Sequence, residues 1–465
     1  MDSLNKVLSN INALVWGPPL LIMLMGTGLY LTILLRGVQF RYIWYSLKQA
    51  VSKTNDSSPG DISQFQALMT SLAGALGTGT VVGVATAVAI GGLGSLFWMW
   101  VTAFLGMALK YSESLLAVKY RKVDDRGEMM GGPMQYMEDG LGWKWIAIIF
   151  AFFGALAAIG TGNLLQSNAI ISAVVSIWDT DPLWTAIVLA VIVGLVLIGG
   201  VKSIGSVAGV LVPVMAFFYI GCGLTIIILH IDLVPQVLSL IFVSAFSGQA
   251  AFGGFAGSTL LMGMQMGVAR GIISTEAGLG ISSMAAAAAK TDCPARQAMI
   301  TMTGALLSTV IVCSITGFVL GVAEVQGMTD QFGFQLNAAA MAIEAFNATI
   351  TGGGYIVGIG LILFAFTTVI AWGYYGEKCC EYLLGERSVI FYRLLFTLLV
   401  IPGAIMKLET VWFLADILNA FMVVPNLIAL IALSSVIVAE TNLFLNIIKK
   451  DGSASESPNL GCRPV

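Results

Sequence analysis

The stretch QFQALMTSLAGALGTGTVVGVATAVAIGG, Gln64 to Gly92, decides how the rest of the chain is read. A bilayer-spanning helix needs about 20 apolar residues, and this run is long enough, yet its middle from Ala73 to Gly83 is filled with Gly, Ala and Thr. Each glycine costs a helix roughly 1 kcal/mol against alanine, so the loosened centre needs a physical reason. One is close helix packing, since small residues let backbones approach. The other is a discontinuous helix whose freed N–H and C=O groups hold a substrate and an ion at mid-membrane. The rest of the chain has to discriminate between them.

Composition sets the class. Of 465 residues 58% are hydrophobic and 10% charged, and the mean hydropathy is +0.91; this describes a polytopic helical membrane protein, all-α, rather than a set of soluble domains. A net charge of −3 leaves no basic footprint for nucleic acid. The six cysteines make no CxxC pair and the single histidine, His230, falls at a span end, so neither a zinc centre nor a histidine relay is expected. The first apolar run lacks a small-x-small cleavage pattern, so no cleavable signal peptide is expected. An intramembrane enzyme would need a motif such as HExxH or GxGD, and neither is present.

Eleven spans are expected, at about 13–35, 64–92, 95–117, 145–177, 183–200, 205–230, 252–289, 297–322, 353–376, 388–405 and 410–439. With that count, the basic clusters Arg36–Lys53, Lys119–Arg126, Lys202, Lys290–Arg296, Lys378–Arg387 and Lys449–Lys450 all fall on one side, which the positive-inside rule makes cytoplasmic. The other side carries only Lys6 and Lys407, and its longest loop holds Glu324, Asp330 and Glu344. The chain is thus expected in the cell membrane with its N-terminus outside and its C-terminus in the cytoplasm. Residues 124–143 are expected as a cytoplasmic turn and short helix, 234–246 as an interfacial or re-entrant helix, 335–350 as a surface helix, and the tail from Asp451 as disordered.

Setting the first span aside leaves five and five. The expected units are an outer N-terminus, extra helix and linker (1–63), a first five-helix repeat (64–230), an outer loop with a short helix (231–251), a second repeat (252–448) and a tail (449–465). An odd number of helices separates the starts of the repeats, so their topologies are inverted. The member matching the opening stretch carries GVARGIISTEAGLGISS, Gly267 to Ser283, another apolar run broken by Gly, Ser, Thr, Arg and Glu. Paired interruptions in inverted halves point to a secondary-transporter site.

A half-helix N-terminus offers amides and a partial positive charge to an anion. Gly77, Thr78, Gly79 and Thr80, with Ala75 beside them, are therefore expected to cradle a substrate carboxylate. The freed carbonyls of Ala73 and Leu76 suit a hard cation such as Na⁺. In LILFAFTTVIAW the adjacent hydroxyls of Thr367 and Thr368 either back-bond along their own helix or complete that cation site with the Phe364 carbonyl, while Trp372 walls off a small side chain. Asn163, Gln166 and Asn168 carry amides at mid-membrane depth, and Asn163 shares a helical face with Gln166, so one of that pair is expected to reach the site, interhelical bonding being the alternative. Intramembrane ionisable groups cost at least about 2.5–3.5 kcal/mol to insert. Glu276 either faces a substrate ammonium near Ile273, Ser274 and Thr275, tunes the cation site, or caps a half-helix; Arg270 and Asp416 are expected to form an outer gate pair.

The segments Gly91–Glu113 (GGLGSLFWMWVTAFLGMALKYSE), Gly131–Gly142 (GGPMQYMEDGLG) and Gly267–Gly280 (GVARGIISTEAGLG) resemble the signatures of the alanine/glycine:cation symporters, the sodium:alanine symporter family. The resemblance runs from about Trp16 to Ile448. It implies a LeuT-like 5+5 inverted repeat preceded by one extra helix, two unwound helices, and sodium-coupled uptake of small neutral amino acids such as alanine or glycine. It also implies a sodium site between the helices that hold Ala73 and Leu76 on one side and Phe364, Thr367 and Thr368 on the other. Where related sequences commonly read FSNEAG this chain reads IISTEAG, so Thr275 stands in place of Asn. The expected partners are a small amino acid, Na⁺ as the co-transported ion, and lipid, with no nucleic acid and no obligate protein. Proton coupling, a different small amino acid or a channel are the alternatives.

Overall fold

The computed structural model describes residues 2–52, 58–246, 260–325, 338–403, 406 and 408–451. The start of the seventh expected span, most of the loop after Val325 and the tail beyond Asp451 lie outside the described residues. Within them the chain is helical apart from one hairpin, Lys122–Val123 paired antiparallel with Met129–Met130.

Among the described residues seven helices are long and apolar enough to cross a membrane: Lys6–Leu34, Gly94–Lys119, Lys144–Val175, Gly200–Leu229, Pro294–Val325, Gly353–Leu384 and Thr410–Ala432. An eighth span is broken: Gln64–Ala75 and Gly79–Gly91 meet at 49°. Shorter apolar helices, Pro182–Ile198 and Ser388–Gly403, occupy two further expected spans. The expected last span, 410–439, is divided. It stops at Ala432, and Ser434–Asp451 forms a separate helix that brings Glu440 to 2.5 Å from Lys119.

Local chemistry explains both breaks. The first broken helix starts with a capping box, Ser63 Oγ accepting from the Gln66 amide at 3.1 Å while Gln66 Oε1 accepts from the Ser63 amide at 3.0 Å. It ends at Ala75 because Leu76 and Gly77 leave the helical path, and the chain resumes in a π-helical turn at Gly79–Gly83. In the second, Leu260–Thr275 gives way to a non-helical segment before Ser283–Ala287. Glu276, Gly278 and Gly280 there have φ of 55°, 85° and 76°. The two glycines take such angles without a Cβ clash, whereas Glu276 is held in an unfavourable region by its surroundings.

Outside the breaks, small residues do what close packing asks. A Cβ on Gly317 would overlap Leu96, one on Gly223 would overlap Ile315, and one on Gly162 would overlap the Trp372 side chain. Gly26 faces open space. Gly162→Val is therefore expected to destabilise the protein by about 1–3 kcal/mol through overpacking, and Gly26→Ala to leave it unchanged or slightly better; thermal unfolding of the detergent-purified variants measures both.

Candidate functional site

The two breaks lie against one another at the centre of the bundle. Ser274 Oγ, at the end of the second, stands 3.2 Å from the Gly79 carbonyl of the first. Between them is a cavity of about 10 Å³ lined by Gly74, Ala75, Gly77, Gly79, Thr161, Gln166, Ile273, Leu279, Trp372 and Asn419. That is space for about one water, so an amino acid requires a wall to move outward.

Of the residues expected from sequence to touch a substrate, Ala75, Gly77, Gly79, Gln166, Ile273 and Trp372 line this cavity. The Thr78 amide donates to Gln166 Oε1 at 3.0 Å, where a carboxylate oxygen was expected, and Gln166 Nε2 donates to the Thr161 carbonyl at 3.2 Å. Thr80 departs from the expected cradle: its amide and hydroxyl both turn to the Gly77 carbonyl, at 3.3 and 3.0 Å, and its carbonyl accepts from Thr316. Thr275 caps its own helix, with Oγ1 2.9 Å from the Gly271 carbonyl and accepting from the Ala277 amide at 3.2 Å. Trp372 Nε1 donates to the Gly74 carbonyl at 3.3 Å, fixing the indole against the first break.

Beside the cavity is a dry group of oxygens. Thr368 Oγ1 lies 2.7 Å from the Ala73 carbonyl and 3.0 Å from that of Phe364, and Thr367 Oγ1 lies 2.9 Å from the same Phe364 carbonyl. Each hydroxyl has one hydrogen, so Thr368 can satisfy only one of its two carbonyls. Ala73 is short of a donor because the amide four residues on belongs to Gly77, where the helix has already stopped. These four buried oxygens share two hydroxyl hydrogens, besides the helical amide that the Phe364 carbonyl accepts from, and form a donor set suited to a hard cation. The back-bonding expected as the alternative for Thr368 is present, and the contact across to Ala73 is added to it. Leu76 stands apart from this group: its carbonyl and that of Gly77 share the single hydroxyl hydrogen of Thr80, at 3.3 and 3.0 Å.

The amides of the fourth expected span separate. A π-helical segment, Ala158–Leu164, widens the turn just before Gln166. Gln166 is thereby directed into the cavity, while Asn163 Nδ2 donates to the Phe396 carbonyl and Asn168 Nδ2 to those of Gly403 (2.9 Å) and Met406 (3.0 Å).

Charged groups gather in two further places. At one, Arg270 and Asp416 form a two-point ion pair at 3.1 and 3.2 Å, with the guanidinium 4.5 Å from the Trp412 ring centre. Arg121 donates to the carbonyls of Pro59, Ala287, Ala289 and Thr291 at 2.8–3.0 Å, tying the approach to the first broken segment to the end of the second. Lys378 lies 3.0 Å from Glu381 and 3.3 Å from Glu128, and Arg126 lies 3.0 Å from Glu381. Burial alone would raise the Asp124 carboxyl, but the Glu128 amide and the nearby Glu381, Lys378 and Arg126 outweigh it and hold the group below its ordinary value. Burial raises Asp61, whose carboxyl accepts from the Met129 amide at 2.8 Å.

Several residues went unread in the sequence. Thr161 Oγ1 and both side-chain atoms of Asn419 are buried without a partner beside the cavity, and so is Thr78 Oγ1. Lys110 and Glu113, at i,i+3 in an otherwise apolar span, are fully buried. Their charge inside a span was the signal available.

A membrane bundle with two interrupted helices facing each other across a closed central cavity is the architecture of secondary transporters. Solved structures with this fold include a Na⁺-coupled sialic acid symporter (TM-score 0.53, 11% identity, 86% of this chain and 82% of that one) and an Eremococcus coleocola manganese transporter (TM-score 0.56, 14% identity, 88% and 94%). The chain belongs to the sodium:alanine symporter family, whose model matches residues 1–458. It is 49% identical to the sodium/alanine symporter AgcS of Methanococcus maripaludis over 97% of this chain and 99% of that protein. It is 35% identical to a putative sodium/proton-dependent alanine carrier protein, YrbD, of Bacillus subtilis over 92% and 89%.

The Arg270–Asp416 pair gives a direct test of the packing. Arg270→Ala strands a buried carboxylate and is expected to cost about 3–5 kcal/mol, whereas replacing both partners by apolar residues, Arg270→Met with Asp416→Leu, recovers most of it. Thermal unfolding of the two variants and the parent protein in one detergent measures the difference.

Proposed function

We propose that this protein imports alanine, glycine or a similarly small neutral amino acid across the cell membrane, driven by Na⁺, by alternating access around the central cavity. The observation that carries the reading is the oxygen group of Ala73, Phe364, Thr367 and Thr368 set one residue away from the cavity wall at Gly74. An ion there stabilises the break that also forms the substrate cradle, which couples the two cargoes. The substrate carboxylate takes the place of Gln166 Oε1 on the Thr78 amide, with Gly77 and Gly79 alongside, and Gln166 turns aside to contact it. The ammonium lies toward Ile273, Ser274 and Glu276, and Trp372 with Ile273 limits side-chain size. Thr161 and Asn419 supply further hydrogen bonds.

The positive-inside rule favours a cytoplasmic basic end, with the N-terminus outside and the C-terminus inside. Arg270–Asp416 is then the outer gate, and the Arg121 and Lys378 contacts the inner one. The five-helix repeats at 64–230 and 252–448 supply the moving parts, with 1–63 as the added helix and linker. Closure at both ends is the arrangement of a carrier and weighs against a continuous channel.

Uptake of labelled alanine into proteoliposomes, with and without an inward Na⁺ gradient, tests the reading. Accumulation that follows the gradient is expected, and saturable uptake that ignores it would falsify Na⁺ coupling. Thr368→Ala removes one ligand and is expected to raise the Na⁺ concentration for half-maximal uptake about tenfold or more, since a loss of 1.4 kcal/mol is a factor of ten. Thr368→Ser retains the hydroxyl and stays near wild type; equal behaviour of the two variants would remove this hydroxyl from the site.

A further inference from the structure

Behind the cavity wall lies a set of charges of which only Glu276 is turned toward the substrate. Lys110, Glu113 and Glu276 are all 0% exposed. Lys110 Nζ donates to the Thr275 carbonyl at 2.9 Å and faces both carboxylates. Glu113 Oε1 is well supplied, accepting from the Gly278 amide at 2.9 Å and from Asn426 Nδ2 at 2.7 Å. Glu276 has neither carboxylate oxygen hydrogen-bonded. The nearest indole N–H, that of Trp372, is directed to the Gly74 carbonyl. Among the other titratable groups close by, the Tyr375 hydroxyl donates to the Thr70 carbonyl at 3.2 Å, and that of Tyr136 to Asn426 on the Glu113 side.

One ammonium and two carboxylates, fully ionised, leave one uncompensated negative charge in a dry membrane interior. Such a charge costs several kcal/mol unless something neutralises it. Hydrogen-bond donors favour the ionised form of a carboxylate; Glu113 holds two on Oε1 while its Oε2 has none, and Glu276 holds none on either oxygen, so Glu276 is the carboxylate placed to take up a proton. The cluster is electrically tied to the cargo. A Cβ on Gly74 would stand 2.7 Å from Glu276 Oε1, Gly74 lines the cavity, and the carbonyl before it belongs to the oxygen group at Ala73. A bound Na⁺ with a zwitterionic amino acid brings one net positive charge against this wall and balances an ionised Glu276. When the cargo has left, that balance is gone.

We propose that Glu276 is a proton-binding site that neutralises the empty carrier, so that each cycle brings Na⁺ and an amino acid inward and returns one proton outward. The inference rests on the symport reading above. Na⁺ and substrate arriving from outside displace the Glu276 proton to the exterior; after their release inside, the carboxylate takes a proton from the cytoplasm and the neutral site turns back. The proton therefore moves against the amino acid, and acid on the cytoplasmic side speeds the return.

The test uses the purified full chain in vesicles of phosphatidylethanolamine and phosphatidylglycerol, with pyranine in the lumen and the membrane potential clamped by potassium and valinomycin. An inward Na⁺ gradient with external alanine is expected to make the lumen alkaline in step with alanine entry, and alanine added without Na⁺ gives no such signal. Glu276→Gln, checked for folding by its unfolding temperature, is expected to lose the alkalinisation and the dependence of uptake on lumenal pH. Glu113→Gln, whose parent carboxylate is held by the Gly278 amide and Asn426, is expected to retain the alkalinisation. The wild-type measurement stands by itself if the Glu276 variant does not fold. Na⁺-driven alanine entry with no proton movement, or with protons moving in the same direction, overturns the proposal, as does alkalinisation that persists in Glu276→Gln. Absence of Na⁺-driven entry in the wild type defeats the symport reading on which the proposal stands.

Discussion

In hydrocarbon no water is available to a backbone N–H or C=O, so interrupting a spanning helix obliges the protein to find a partner for every group it frees. The chain makes two such interruptions and sets them face to face. The rest of the centre follows from that obligation: Gln166 on the Thr78 amide, Thr368 on the Ala73 carbonyl, Ser274 on the Gly79 carbonyl, Lys110 on the Thr275 carbonyl, and Glu113 and Asn426 on the two sides of Gly278. These partners come from helices far apart in the chain. Thr161 Oγ1 and the Asn419 amide, left without partners, both line the cavity between the breaks.

Closeness carries the arrangement as much as polarity does. Thr368 reaches the first break because Gly77 has no Cβ for it to meet, and Trp372 lies over the π-helical turn because Gly162 has none. The first break and two neighbouring helices contain π-helical turns, at Gly79–Gly83, Ala158–Leu164 and Leu306–Cys313. Such turns leave backbone groups out of the ordinary ladder and shift the helix face that follows. That shift separates Asn163 from Gln166 and aims only the second into the cavity.

The charges are divided by position. Arg270 with Asp416 is balanced within itself, while Arg121, Arg126 and Lys378 are held by carbonyls and carboxylates. The deep cluster of Lys110, Glu113 and Glu276 is unlike both. It is not balanced, and it stands beside the second break. A glutamate held at φ 55° there is a local strain that the surrounding fold maintains.

The sequence by itself determined the class and the positions of the two breaks, because both are written in local chemistry. Apolar runs of spanning length require helices in lipid, Gly-rich interruptions at Ala73–Gly83 and Gly267–Ser283 weaken two of them, and the Thr367–Thr368 hydroxyls are conspicuous among apolar neighbours. The three motif segments resembling the symporter family pointed the same way, and the family match bears that out. Arg270 and Asp416 meet as their charges in apolar spans required. Only the tertiary structure decided which polar groups share the cavity. Thr80 turned from the cradle to Gly77 and Thr316, the last span divided at Leu433, and Asn419, Thr161, Lys110 and Glu113 came to the centre without a local sign of where they would point. Such choices depend on which distant helix supplies a partner at about 3 Å, and a one-dimensional pattern has no record of that distance.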